Sequence, residues 1–375
     1  MRVAILAAAA LAAAALGGCR DGVPPFTPVE RVLPDPSAYQ LTFGGGSERD
    51  PVWAPSGDTL FYQTDRLFGV LPQARGILAA IPVDGGTARV LFPEAQIGIR
   101  LLATPAVSPD GERVAYMEVS RFDFSETCDQ SLCESTQARL DSARLRVRRI
   151  SEVRSVPADP VVRVYFEGRT RGAKYAHLGP YYEPLIPLQA EHLDRGTMPF
   201  RPTWSPDGER LAYSDGLAVH VWRVGEAAAE PLPGTMDAVG TAWSPDGQWI
   251  AFTHLERGDS TTHACACGHD IDNPFINTRV LYDIAARTVV IMRPDGSERR
   301  EVGQGTDPAW SPDNRTIYAT HDDRIVAIDV ASGAVSAVAN TTRGSMPAVS
   351  PDGRWLALVR RKPDTQDTDV WVIAL

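Results

Sequence analysis

The chain has 375 residues, 47 acidic against 37 basic, and a formal net charge of −10. Such a balance argues against bulk nucleic-acid binding, and 43% hydrophobic residues argue against a disordered chain. With 31 glycines, 30 prolines and few long amphipathic helical patterns, an all-β fold rich in turns is expected.

Residues 1–18 stand apart from the fold. Met1-Arg2 is a short basic start, and Val3 to Leu16 is an Ala/Leu-rich run too short to span a bilayer comfortably. Leu16-Gly17-Gly18-Cys19 follows. This ending resembles the lipobox of bacterial lipoproteins, which implies that Cys19 becomes a lipidated N-terminus. Membrane attachment would then run through lipid on Cys19, in a cell envelope and facing the periplasm or exterior. Arg20 in place of Asp shifts the expectation from inner to outer membrane. The other reading is an ordinary secretory signal containing a cysteine. Residues 19–37 include Pro24, Pro25, Pro28, Pro34 and Pro36, and read as an extended tether.

A repeated turn organises residues 38–375. Trp204-Ser205-Pro206-Asp207-Gly208 and Trp243-Ser244-Pro245-Asp246-Gly247 carry it in full, and Trp310-Ser311-Pro312-Asp313-Asn314 changes its last residue. Val107-Ser108-Pro109-Asp110-Gly111 and Val349-Ser350-Pro351-Asp352-Gly353 replace Trp with Val, and Trp53-Ala54-Pro55-Ser56-Gly57 is the most divergent. Proline presets φ for the second turn position, Asp tolerates the third, and Gly or Asn supplies positive φ at the end. Apolar stretches such as Leu211-Ala212-Tyr213 follow, so each copy reads as a β-hairpin whose second strand is buried on both faces. The turn prolines are 54, 97, 39, 67 and 39 residues apart. The shortest interval holds four strands, the mark of a propeller blade.

The stretch Ile291-Met292-Arg293-Pro294-Asp295-Gly296-Ser297, then Gly303 to Thr306, then Asp307-Pro308-Ala309-Trp310-Ser311-Pro312-Asp313, resembles the TolB-type, PD40 or WD40-like β-propeller repeat. The resemblance covers residues 38–375. It implies a six-bladed β-propeller of four-stranded antiparallel blades. The last repeat lacks a fourth strand, and Ala38-Tyr39-Gln40-Leu41-Thr42 is spare, so residues 38–42 are expected to close the ring. The resemblance also implies an envelope role with a protein partner. A monomeric propeller without nucleic acid is expected.

Two insertions interrupt the spacing, near 120–198 in blade 2 and 255–278 in blade 4. Each follows the second strand of its blade, and so is expected on the face opposite the turns. Four cysteines lie in them: Cys128 and Cys133, Cys265 and Cys267. In an exported chain they are disulfide candidates, either within each insertion or between the two. His263, Cys265, Cys267 and His269 could instead ligate a metal, although the spacing departs from a standard zinc site. No other cofactor is implied. Arg144, Arg146, Arg148 and Arg149 alternate with apolar residues and read as a solvated outer strand, with a contact to anionic headgroups or an acidic partner as the alternative.

The turn residues Pro55, Pro109, Asp110, Pro206, Asp207, Pro245, Asp246, Pro312, Asp313, Pro351 and Asp352 are structural, and equivalent copies make no asymmetric acid–base pair. Trp53, Trp204, Trp243 and Trp310 read as packing between blades. No G-x-S-x-G, H-E-x-x-H, P-loop or haem-attachment motif occurs. The expected function is a non-catalytic, lipid-anchored scaffold for protein interaction. The alternatives are a propeller that binds, or acts on, a glycan or small ligand, and a metal-binding envelope protein.

Overall fold

The structure, a computed structural model, describes residues 37–43, 46–64, 76–92, 101–125, 137–151, 201–215, 218–226, 229–265, 277–363, 365 and 367–375. For 101, 119–125, 137–144, 260–265 and 277–283 the backbone alone is described. Among the described residues all regular structure is β.

β1 (Ala38–Gln40) comes first in the chain. Blade 1 is β2 (Glu48–Trp53), β3 (Thr59–Thr64), β4 (Ile77–Pro82) and β5 (Arg89–Val90). Blade 2 is β6 (Leu101–Val107), β7 (Arg113–Ser125) and β8 (Gln137–Arg149). Its fourth strand would fall within 152–200, outside the described residues. Blade 3 is β9 (Thr203–Trp204), β10 (Arg210–Ser214), β11 (Val219–Arg223) and β12 (Glu230–Pro231). Blade 4 is β13 (Ala238–Trp243), β14 (Ile250–Cys265), β15 (Asn277–Met292) and β16 (Arg300–Gln304), and blade 5 is β17 (Thr306–Trp310), β18 (Thr316–His321), β19 (Arg324–Asp329) and β20 (Val335–Ala337). Blade 6 is β21 (Gly344–Val349), β22 (Trp355–Arg361) and β23 (Thr368–Ala374), completed on its outer edge by β1. Every pairing is antiparallel, and β1 joins β23 in the register Ala38↔Ile373 and Gln40↔Trp371.

The turns form as their residues dictate. In blade 4, the amide of Gly247 bonds the carbonyl of Ser244 at 2.9 Å, and the Ser244 hydroxyl bonds Asp246 at 2.6 Å. Asp246 in turn accepts from the amide of Gln248. Blades 2, 3, 5 and 6 repeat this pattern. The serine bond, foremost, holds the carboxyls of Asp110, Asp207, Asp313 and Asp352 below their ordinary pKa. The five turn glycines have φ between +69° and +76°, and Asn314 has +62°.

Successive turns touch. A Cβ on Gly57, Gly111, Gly208, Gly247 or Gly353 would meet Pro351, Pro55, Pro109, Pro206 or Pro312, the proline of the preceding blade. In blade 5 the Asn314 side chain makes this connection, accepting from the amide of Asp246. The six turns therefore form a closed ring on one face. Their first strands also contact one another in sequence around the axis, which makes them the innermost strands.

The core lies between the blades. Six buried apolar clusters occupy the six interfaces, one each, and the sixth joins Leu41 and Trp53 to Val359, Val370 and Val372. Second strands are buried on both faces because each blade is sandwiched between two others; Leu211, Ala212 and Tyr213 are at most 2% exposed. The turn tryptophans reach across interfaces. Trp53 donates to the carbonyl of Ala348, Trp204 to Ala106 and Trp310 to Ala242, at 2.9–3.1 Å. Trp243 differs, donating to Gly247 in its own turn.

β8 departs from the expected solvated strand. It is the third strand of its blade, and Arg148 is buried with its guanidinium 4.2 Å from the Phe92 ring centre. Arg146 meets Glu118 at 3.3 Å. The alternation with Leu145 and Val147 is real, but over 145–148 both faces of the strand pack against neighbouring blades, while Arg149 is exposed as expected.

Candidate functional site

Two places combine rigid support with chemistry: the axis of the ring and the face opposite the turns. The axis is built from one position in each blade, three residues before the turn serine's predecessor. These residues are Asp50, Thr104, Arg201, Gly240, Asp307 and Met346. All but Arg201 take left-handed φ, from 47° to 58°. The inner strands of blades 1, 2, 4, 5 and 6 change register at this point, a bulge that kinks each strand. For threonine and methionine such a conformation is strained, and strain of this kind gathers at functional sites.

Arg201 bridges the ring. Its Nε lies 3.4 Å from Asp50 and its Nη1 3.6 Å from Asp307. Blades 1, 3 and 5 are not neighbours, so these side chains can meet only at the axis. Arg201 also donates to the carbonyl of Pro347, and its own carbonyl accepts from Thr241 at 2.8 Å. Thr306 and Thr320 donate to the second oxygen of Asp307. Asp50 is 3% exposed, and its pKa is pushed up to about 6. Burial is the main cause; Arg201 opposes it and Asp307 adds to it. Asp50 Oδ2, Thr104 Oγ1 and Arg201 Nη1 are buried without a hydrogen-bond partner. Two polar atoms at the axis, a carboxylate oxygen and a hydroxyl, are thus buried and unsatisfied, while Arg201 Nη1 keeps its ion pair with Asp307.

The opposite face is shaped by two long hairpins. β7 and β8 have 13 residues each, and β14 and β15 have 16 each, against 6 in β18 and β19. At about 3.3 Å per residue the blade 4 arm runs roughly 30 Å beyond an ordinary blade and the blade 2 arm roughly 20 Å. Both leave the ring between second and third strands, at the end away from the turns. The base of the blade 4 arm is fastened by a two-pronged bond from Arg257 to buried Asp237, at 2.8 and 2.9 Å, and by Leu255 packed on Val239 and Ile284.

Most side chains singled out from the sequence at these tips lie outside the described residues: Cys128, Cys133, Cys267 and His269, as does Cys19. For His263 and Cys265 the backbone alone is placed, opposite Arg279 and Asn277. No group of three metal-ligating side chains converges among the described residues. The turn aspartates sit in equivalent places around the ring. The sequence reading missed the axial cluster. Its signal was the residue before the Pro-x-Trp or Pro-x-Val of the inner strands of blades 1, 2, 3, 5 and 6, which is Asp in blades 1 and 5 and Arg in blade 3.

No family model matches the chain. A curated relative, the Tol-Pal system protein TolB of Francisella tularensis subsp. tularensis, is 28% identical over 115 residues. That match covers 28% of this chain and only a quarter, 25%, of the relative's length. Among solved structures, TolB from Acinetobacter baumannii aligns with a TM-score of 0.48 at 13% identity, over 88% of this chain and 64% of that one. Oligogalacturonate lyase from Vibrio parahaemolyticus aligns with a TM-score of 0.42 at 11% identity, over 89% of this chain and 79% of that one.

Proposed function

We propose that this TolB-like six-bladed propeller is a non-catalytic, lipid-anchored scaffold of the cell envelope that holds a protein partner between its two arms. The arms carry the reading: two long hairpins on one face of a closed ring present extended backbone to a partner while the ring fixes their separation. The curated relative is named for the Tol-Pal system, which supports an envelope setting with protein partners. The lipobox-like Leu16-Gly17-Gly18-Cys19 supports anchoring.

The test is cross-linking in intact cells followed by capture of the full chain from membranes. Shortened arms, with 120–142 and 258–283 each replaced by Asn-Gly, are expected to lose a partner that the full chain retains. An unchanged partner set in the doubly shortened variant would sink the proposal. In the same cells, Cys19→Ser is expected to leave the membrane fraction.

The axial cluster favours a second reading, a small polar ligand bound in the channel. The buried Asp50 Oδ2 and Thr104 Oγ1, which have no hydrogen-bond partner, are the observation behind it. Native mass spectrometry of the purified chain is expected to show an added mass that denaturation releases and Asp50→Asn removes. A bare chain mass under native conditions would count against this reading.

A further inference from the structure

At each interface, the residue six positions after the first turn residue faces the next blade. The types of residue at this place follow the residue they meet. Where the next turn begins with Trp204, Trp243, Trp310 or Trp53, the position holds Arg113, Arg210, Trp249 or Trp355; where it begins with Val107 or Val349, it holds Thr59 or Thr316. The arginines stack. Arg113 lies 4.7 Å from the Trp204 ring centre and donates to the carbonyl of Gly208, and Arg210 lies 4.9 Å from Trp243. Trp249 receives a guanidinium from its own blade: Arg293 lies 4.1 Å from its ring and bonds Gln248. Three of the four tryptophan interfaces thus hold an arginine of this chain on an indole face.

At the fourth interface, the seam between blades 6 and 1, the described residues place no such arginine. Trp355 pairs across the strand with Ala374, at the position where Arg293 follows the end of β15. Among the described residues no cation stacks on Trp53 or Trp355. A pocket of about 540 Å³ opens here, lined by Tyr39, Trp53 and Trp355, with Asp84 and Asp352 at its rim. Tyr39 meets Trp355 edge to face at 6.3 Å and is fixed by its hydroxyl bond to the carbonyl of Val83. Trp53 is held by its bond to Ala348. Arg354 touches Asp352 at 3.4 Å, with both side chains exposed, and stacks on neither indole. Three oriented aromatic rings and the carboxylate of Asp84 suit an organic cation, while Asp352 is already engaged by Ser350 and Arg354.

We propose that this seam pocket binds the guanidinium of an arginine side chain from a protein partner, stacked on the Trp355–Trp53 wall and paired with Asp84. It supplies from outside the group that the other three interfaces supply from within. Guanidinium fits better than ammonium because it is planar, weakly hydrated and stacks on aromatic faces. Asp84 sets the sign of the ligand. Asp84 is exposed beside Gly85 in a turn closed by the Gly85 amide on the Pro82 carbonyl, so it answers to the ligand and not to the fold. The pocket lies on the turn face, away from the arms, and does not depend on what they hold.

Calorimetric titration of the full chain with acetyl-Gly-Arg-Gly-amide, and with the same peptide carrying citrulline, tests the site. Saturable binding of the arginine peptide, about tenfold tighter than the neutral isostere, is expected. Asp84→Asn should weaken it roughly threefold. Trp355→Arg installs the arginine of blades 2 and 3 and should abolish it. The doubly shortened arms should leave it unchanged, which separates this site from the scaffold reading. No binding, equal binding of the citrulline peptide, or undiminished binding by Trp355→Arg would overturn the proposal. Should Trp355→Arg fail to fold by circular dichroism, undiminished binding by Asp84→Asn would overturn it instead.

Discussion

Asp50 and four turn aspartates, Asp110, Asp207, Asp313 and Asp352, are carboxylates of one chain pushed in opposite directions. The turn carboxyls accept from serine hydroxyls and backbone amides near solvent, which favours their charged form. Their stabilising effect is present above the ordinary carboxylate pKa of 3.8 and is lost as pH falls below it. Asp50 is buried at the axis, and desolvation outweighs the pull of Arg201. Its folded-state pKa, about 6, lies above the unfolded value of 3.8, so the native state binds the extra proton between these limits. Stability is greatest at the lower end of that window and falls as pH rises through it, by at most ~3 kcal/mol for the whole interval. Asp50→Asn should flatten this slope. Urea midpoints measured from pH 4.5 to 6.5 check it, and an equally steep slope in the variant would exclude Asp50 as the source.

Strands and hairpins show where local pattern suffices and where it does not. The third blade's outer strand closes with Thr235, whose hydroxyl donates to the carbonyl of Leu232 and accepts from the amide of Val219. Thr341 repeats this on Val338 and Ile325, and Thr42 accepts from the amide of Val370. Such a device is short-range: Leu232 and Val338 lie three positions before their threonines, and Leu41 immediately precedes Thr42. β8 has a clear alternation too, but whether its arginines meet water depends on what packs above and below. The arms add strand length beyond the interfaces. Their removal should leave the six apolar clusters intact, because Leu255, Val239 and Ile284 form a separate cluster at the base of one arm. The shortened variants are therefore expected to unfold within a few degrees of the full chain. A large drop would mean that lost capture reflects a damaged ring.

Closure is a property of the whole molecule. β1 is only three residues long, yet it covers the edge of β23 and carries Leu41 into the seam cluster. Losing a buried leucine alone costs about 2–5 kcal/mol, and an uncovered β23 presents unpaired backbone beside Val372 and Ile373. A chain that begins at residue 43 is expected to self-associate, whereas one that begins at residue 37 should remain monomeric. Light scattering on the two distinguishes them; a monomeric, stable chain from residue 43 would show that the first strand does not close the ring.

The amino-acid sequence by itself determined the turns, their number, the blade as a unit and the strand that closes the last blade. Each of these rests on contacts between residues near in sequence, or on one missing strand matched by one spare strand. Only the tertiary structure decided which side chains share an axis and which interface is incomplete. Asp50, Arg201 and Asp307 are far apart in the chain and meet only because alternate blades point them at the same line. The seam pocket is legible in hindsight as Trp355 in an arginine's place, but only packing shows that Ala374 leaves its face uncovered. Repetition makes a propeller easy to read from its sequence; its chemistry lies where one blade departs from the others, and that comparison requires knowing which residues face each other.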